Sequence, residues 1–66
     1  MSYYRDNLPE ILRKCKQLER LGFYIIRSRK VQVYKDYTFI VKFSYNILLK
    51  YSIDVLENMI NQYIIK

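Results

Sequence analysis

Apolar residues recur along this chain at two different spacings. Between Leu8 and Leu21 they fall three and four apart, at Leu8, Ile11, Leu12, Cys15, Leu18 and Leu21, which gathers them into one stripe of an α-helix. Asn7 stands where an N-cap is needed, and Pro9 falls in the first turn, where its missing N–H is harmless. Glu10, three residues after Asn7, takes the capping-box position, and Gly22 follows as the C′ residue, where a left-handed backbone is usual. The pattern predicts a helix over 7–21.

The spacing changes in the stretch Val31 to Tyr45, VQVYKDYTFIVKFSY. Here Tyr37, Phe39, Val41, Phe43 and Tyr45 alternate with Thr38, Ile40, Lys42 and Ser44. Period two puts the five large side chains on one face of a strand. With Lys35 and Asp36 as a two-residue loop, Tyr34 faces Tyr37 and Gln32 faces Phe39, while Val31 and Val33 lie on the other face beside Ile40. On this reading Phe39, Val41 and Phe43 belong to the core, and Tyr34 and Tyr37 form an aromatic rim. Upstream, Phe23 to Ile26 is strand-like and runs into Arg27-Ser28-Arg29-Lys30. A lone hairpin is rarely stable, so a three-stranded antiparallel meander is expected, with strands at 22–27 and 30–35 before the last.

Two patterns fit the C-terminal third. Ser52 can cap a helix with Asp54 in its first turn and a stripe of Ile53, Leu56, Ile60, Tyr63 and Ile64. Alternatively Asn46 caps one helix from 47 to 65 whose stripe adds Leu48, Tyr51, Val55 and Met59. Such a helix is apolar over more than half its circumference and needs cover from a second subunit or a partner. The expected fold class is therefore α+β: one small domain over 1–66, helix, antiparallel hairpin or three-stranded meander, helix, with 1–6 as a frayed lead-in.

At 66 residues, 52% of them hydrophobic, the chain is near the lower limit for folding alone, burying only about 60% of its unfolded surface. Homodimerisation through the C-terminal helix is a reasonable expectation on that ground. One cysteine allows no disulfide framework, no secretory h-region is evident, and no apolar run is long enough to cross a bilayer. A cytoplasmic protein without a membrane partner is expected. Histidine is absent, and the six carboxylates follow no metal-ligand spacing. Gly22 is the one glycine, so there is no phosphate-cradling loop. Cys15 lies on the apolar stripe without a histidine to activate it. These features point away from an enzyme, from cofactors and metals, and from a small-molecule substrate.

Charge adds the one directional signal. The net charge is +6, and residues 1–50 hold eleven Lys/Arg against four Asp/Glu, or +7, leaving −1 for the remainder. Nucleic acid or an acidic protein surface is the partner such an excess suits. A competing reading is compositional, because AT-rich coding favours Lys, Ile, Tyr and Asn. Arg13, Lys14, Lys16 and Arg20 are expected on the outer face of the first helix, where Arg13, Lys16 and Arg20 line one side. Arg27, Arg29 and Lys30 form the densest basic cluster, at a sheet corner. Arg13, Lys16, Arg20, Arg27, Arg29 and Lys30 form the candidate binding set for nucleic acid or an acidic partner, with Tyr34 and Tyr37 as the rim. The element order differs from ribbon-helix-helix repressors, because a long helix precedes the strands. In character, though in no particular residue, the chain is similar to many small basic proteins of phages and mobile elements. That resemblance implies a protein-interaction module or inhibitor that occupies a host protein, without catalysis; nucleic-acid binding is the reading that charge favours.

Overall fold

The computed structural model describes residues 6–65, so the lead-in expected at Met1–Arg5 lies outside the described residues. Helix α1 spans Leu8–Arg20, followed by strands β1 Tyr24–Arg27, β2 Val31–Lys35 and β3 Thr38–Phe43, then helices α2 Tyr45–Lys50 and α3 Ile53–Ile64. The strands form one antiparallel sheet in the order β1-β2-β3. This is the α+β meander with flanking helices that the patterning predicts. The core is a single cluster drawn from Ile11, Cys15 and Leu18 of α1, Leu48 of α2, and Leu56 and Ile60 of α3, packed on Phe23, Ile25, Val31, Val33 and Phe43. Among the described residues, all three helices thus cover the same side of the sheet, and none lies on the other.

Both ends of α1 have a physical account, though only one is the expected one. Asn7 occupies the N-cap position but its side chain makes no capping bond; the backbone N–H of Ile11 donates to the Asn7 carbonyl at 3.0 Å. Glu10 is diverted from the capping box and pairs with Arg13 at 3.2 Å. At the C-terminus, Gly22 has φ +102°, its N–H donates to the Glu19 carbonyl, and the N–H of Phe23 donates to the Leu18 carbonyl. That pair of bonds is a Schellman motif, closed by the apolar residues Leu18 and Phe23 in the core.

The hairpin departs from the expected register. Its loop is Asp36-Tyr37, one residue later than the Lys35-Asp36 loop that the alternation suggests, and both residues have left-handed backbones, with φ 52° and 65°. Two such residues in succession give the turn whose twist matches that of the strands it joins. Lys35 faces Thr38 and Tyr34 faces Phe39, but beyond that point Val33 faces Val41 and Val31 faces Phe43. Ile40 is the extra residue, a β-bulge. Without it, continuation of the tip register would pair Val31 with Lys42 and send a lysine into the core. The bulge moves Lys42 opposite Gln32, on the outer side, and leaves Ile40 and Val41 both packed against the core. The expectation of one face shared by Tyr37, Phe39, Val41, Phe43 and Tyr45 is thereby corrected. Val41 and Phe43 face inward, whereas Phe39 lies on the outer face, 49% exposed.

The C-terminal third follows the Ser52 pattern and not the single long helix. Ser44 caps α2 by accepting from the N–H of Ile47, and Ser52 caps α3 by accepting from the N–H of Val55. Between them Tyr51 is extended, with ψ 150°, so the chain breaks where a continuous helix would have left both caps unused.

Candidate nucleic-acid interface

The cations of α1 do not all lie outside. Ile11, Lys14, Cys15 and Leu18 are the buried positions of the helix. Lys14, expected on the outer face, is only 7% exposed. Its Nζ donates to the carbonyls of Leu48 at 2.9 Å, Leu49 at 3.1 Å and Tyr51 at 2.5 Å. The last turn of a helix leaves carbonyls without intrahelical partners, and an ammonium has three donors. Lys14 therefore caps α2 from a neighbouring helix, with a Glu10 carboxylate oxygen 4.0 Å away. Its charge is committed to the fold.

Arg13, Lys16 and Arg20 are exposed. Helical spacing places them opposite the buried positions, so they look away from the sheet. Arg13 is engaged with Glu10, and it also donates to Gln17 at 3.4 Å. Arg27 ends β1, on the same side of the strand as Ile25, and is close enough to α1 to act on Cys15 together with Glu19. Burial pushes the Cys15 thiol above its ordinary value, with Arg27 opposing and Glu19 adding to the shift. Arg29 and Lys30 are exposed in the β1–β2 loop. No acidic side chain among the described residues pairs with Lys16, Arg20, Arg29 or Lys30.

The loop is built into the sheet by a polar chain. Tyr34 Oη donates to Gln32 Oε1 at 3.0 Å, Gln32 Nε2 donates to Ser28 Oγ at 3.0 Å, and Ser28 Oγ donates to the Lys30 carbonyl at 3.3 Å. Tyr45 Oη fixes the other side of the same loop by donating to the Ser28 carbonyl at 2.7 Å. Arg29 and Lys30 are thereby held at one end of the outer sheet face, whereas the α1 stripe belongs to the opposite layer. The six candidate cations thus fall into two groups: Arg13, Lys16 and Arg20 on α1, and Arg29 and Lys30 at the sheet corner, with Arg27 between.

The outer face itself is aromatic. Tyr24 of β1, Tyr34 of β2 and Phe39 of β3 form a row across all three strands, with ring centroids 6.3 Å and 5.5 Å apart. Tyr24 is 63% exposed. With Ile26, Asp36 and Tyr37, the tyrosines of this row line an open groove of about 750 Å³, and Tyr37 stands fully in solvent at the hairpin tip. Of the two expected rim residues, Tyr34 is half-buried at the centre of the row and Tyr37 is at its edge. Sequence alone does not pick out Tyr24 or Lys42, and it assigns Phe39 to the core. In Phe23-Tyr24-Ile25-Ile26 every residue is apolar or aromatic, so alternation cannot say which pair turns outward, and the bulge that redirects Phe39 leaves no mark in the composition.

Compared with protein families, curated proteins and solved structures, the chain matches none. No helix among the described residues is long and apolar enough to cross a membrane, and no cluster of metal-ligating side chains occurs among them.

Proposed function

We propose that this chain is a non-enzymatic nucleic-acid-binding protein that grips backbone phosphates with surface cations. The observation that carries the reading is the set Lys16, Arg20, Arg29 and Lys30, exposed and without an acidic partner among the described residues. Cations left unneutralised on a protein of net charge +6 repel one another, and a polyanion relieves that repulsion and releases its own counterions. The β1–β2 corner that carries Arg29 and Lys30 is the anchor, tied to Gln32 and Tyr45 by hydrogen bonds through Ser28. The α1 cations add a long-range field. Titration of labelled oligonucleotides over a range of salt concentrations tests this: affinity should fall linearly in log–log form. Undetectable binding at low salt removes the proposal.

One observation favours a second reading, a protein-interaction module or inhibitor able to act as a homodimer. At its C-terminal end α3 exposes Tyr63 and Ile64, which line a groove of about 520 Å³ with Phe39, Ile40, Thr38 and the charged pair Lys35 and Asp36. A groove that mixes aromatic, aliphatic and charged side chains suits a protein partner. A solution mass after nuclease treatment separates the two readings: a stable dimer, or one stoichiometric protein retained, favours the second.

A further inference from the structure

We infer that the open face of the sheet is a stacking platform for unpaired bases, so that the nucleic acid bound is single-stranded. This rests on the phosphate-binding reading above and narrows it. The row Tyr24–Tyr34–Phe39 supplies one ring from each strand. Tyr34 is its fixed centre, held by its hydroxyl on Gln32, and lies edge-on to Phe39 at 73°. Tyr24 and Phe39 on either side are 63% and 49% exposed, leaving ring surface free for a base.

Charge decides what occupies this face. Lys42 faces Gln32 across the same side of the sheet, and Arg29 and Lys30 close its end through the Ser28–Gln32 link. Asp36, at the opposite tip, is the one acid lining the groove. A second copy of this chain would bring another +6 against the same cations. A polymer of phosphates and flat bases satisfies both features together: phosphates on Lys42, Arg29 and Lys30, bases on the rings. Pure phosphate binding requires no aromatic row, and duplex bases are already stacked on one another and do not reach it. Lys30 lies four residues from Tyr34 along an extended strand, roughly 13 Å, so one strand can span anchor and platform at once. Base–aromatic stacking is tolerant of sequence, which makes the expected preference one of strandedness and not of base order.

The test compares an oligothymidylate of about 12 nucleotides, a duplex of equal length, and heparin, a polyanion without bases. The protein is used whole, as wild type and as Tyr24→Ser/Phe39→Ser. Both side chains are surface-exposed, and circular dichroism verifies that the variant is folded. The wild type should bind the single strand at least about tenfold more tightly than the duplex. The double variant should lose about 25-fold or more on the single strand, from roughly fivefold or more per ring, with heparin and duplex unchanged. Because the chain has eight tyrosines and no tryptophan, tyrosine emission should be quenched by the oligothymidylate and not by heparin. Equal binding of all three ligands by both proteins overturns the platform while leaving phosphate binding intact. No binding to any of them removes both. A dimer in solution that the double variant abolishes assigns the face to a second copy and also overturns the inference.

Discussion

At the scale of single residues, Lys14 carries the strongest consequence. In the sequence it is one of four cations on a basic helix; its spacing, three after Ile11 and four before Leu18, sets it beside the apolar stripe, whereas Lys16 falls on the opposite side. Its partners are backbone carbonyls 34 to 37 residues away, and no local pattern encodes those. Replacing it by methionine keeps the aliphatic stem but leaves three carbonyls of α2 and its exit without their donor. Lys14→Met should therefore cost about 2–4 kcal/mol, read as a lowered denaturant midpoint with an unchanged slope. Lys14→Arg should recover only part of this, because a planar fork does not place donors as an ammonium does. A cost no greater than that of Lys16→Met would show that the capping contributes nothing. Cys15 gives a second prediction at this scale. The residue is 5% exposed, and burial is the chief cause that raises its thiol above the ordinary thiol pKa. Just above that value the unfolded chain gives up the thiol proton while the native chain keeps it. Stability from this group is thus complete below the unfolded pKa and declines as pH rises through the folded one. Comparison of wild type with Cys15→Ala between about pH 8 and 10 should show the wild type losing stability more steeply. Parallel curves would sink the assignment.

At the scale of elements, two positive φ angles have opposite consequences. Gly22 at φ +102° closes α1, and a Cβ there would meet nothing within 4 Å. The cost of Gly22→Ala is then backbone strain alone, about 1–2 kcal/mol. Tyr37 at φ 65° carries the same kind of strain on a side chain that is wholly in solvent. Tyr37→Gly turns the loop into Asp-Gly, the favoured pair for this turn, and should stabilise the protein by about 1 kcal/mol, a rise in Tm of roughly 4–8 °C. A fall in Tm would mean that Tyr37 makes contacts that its exposure denies. These two positions also mark what is legible in the sequence. Gly22 is readable because helix endings have a residue-level signature, and Ser52 is readable for the same reason. The alternation sets the hairpin loop one residue early because Tyr37 carries no mark of a left-handed backbone. The bulge at Ile40 is hidden because its cause is global: it keeps Lys42 out of a core defined by Val31 and Val33 of another strand. The aromatic row depends on that bulge, so the sequence displays the cations and the tyrosines but not their arrangement.

At the scale of the whole molecule, the sheet separates two sets of cations, and their distances make them act differently. The α1 stripe lies on the far side of a helix roughly 10–12 Å across, so it stands well over 10 Å from a strand bound on the outer sheet face. Arg29, Lys30 and Lys42 border that face directly. Screening then distinguishes the groups, since the Debye length is about 30 Å at 0.01 M salt and about 8 Å at 0.15 M. At low salt both sets should contribute, the helix by raising the rate of encounter. At physiological salt only the bordering set should remain. Arg29→Ala/Lys30→Ala should weaken single-strand binding at every salt concentration and reduce the log–log slope by about 0.7 for each phosphate no longer neutralised. Lys16→Ala/Arg20→Ala should slow association at 0.01 M and have little effect at 0.15 M, so that the slope flattens only towards low salt and is kept near physiological salt. Stopped-flow association with equilibrium titration at the two salt concentrations reads both quantities. If the helix variant instead removes the slope while the corner variant leaves it, the phosphate backbone follows α1 and the sheet face is not where the strand lies.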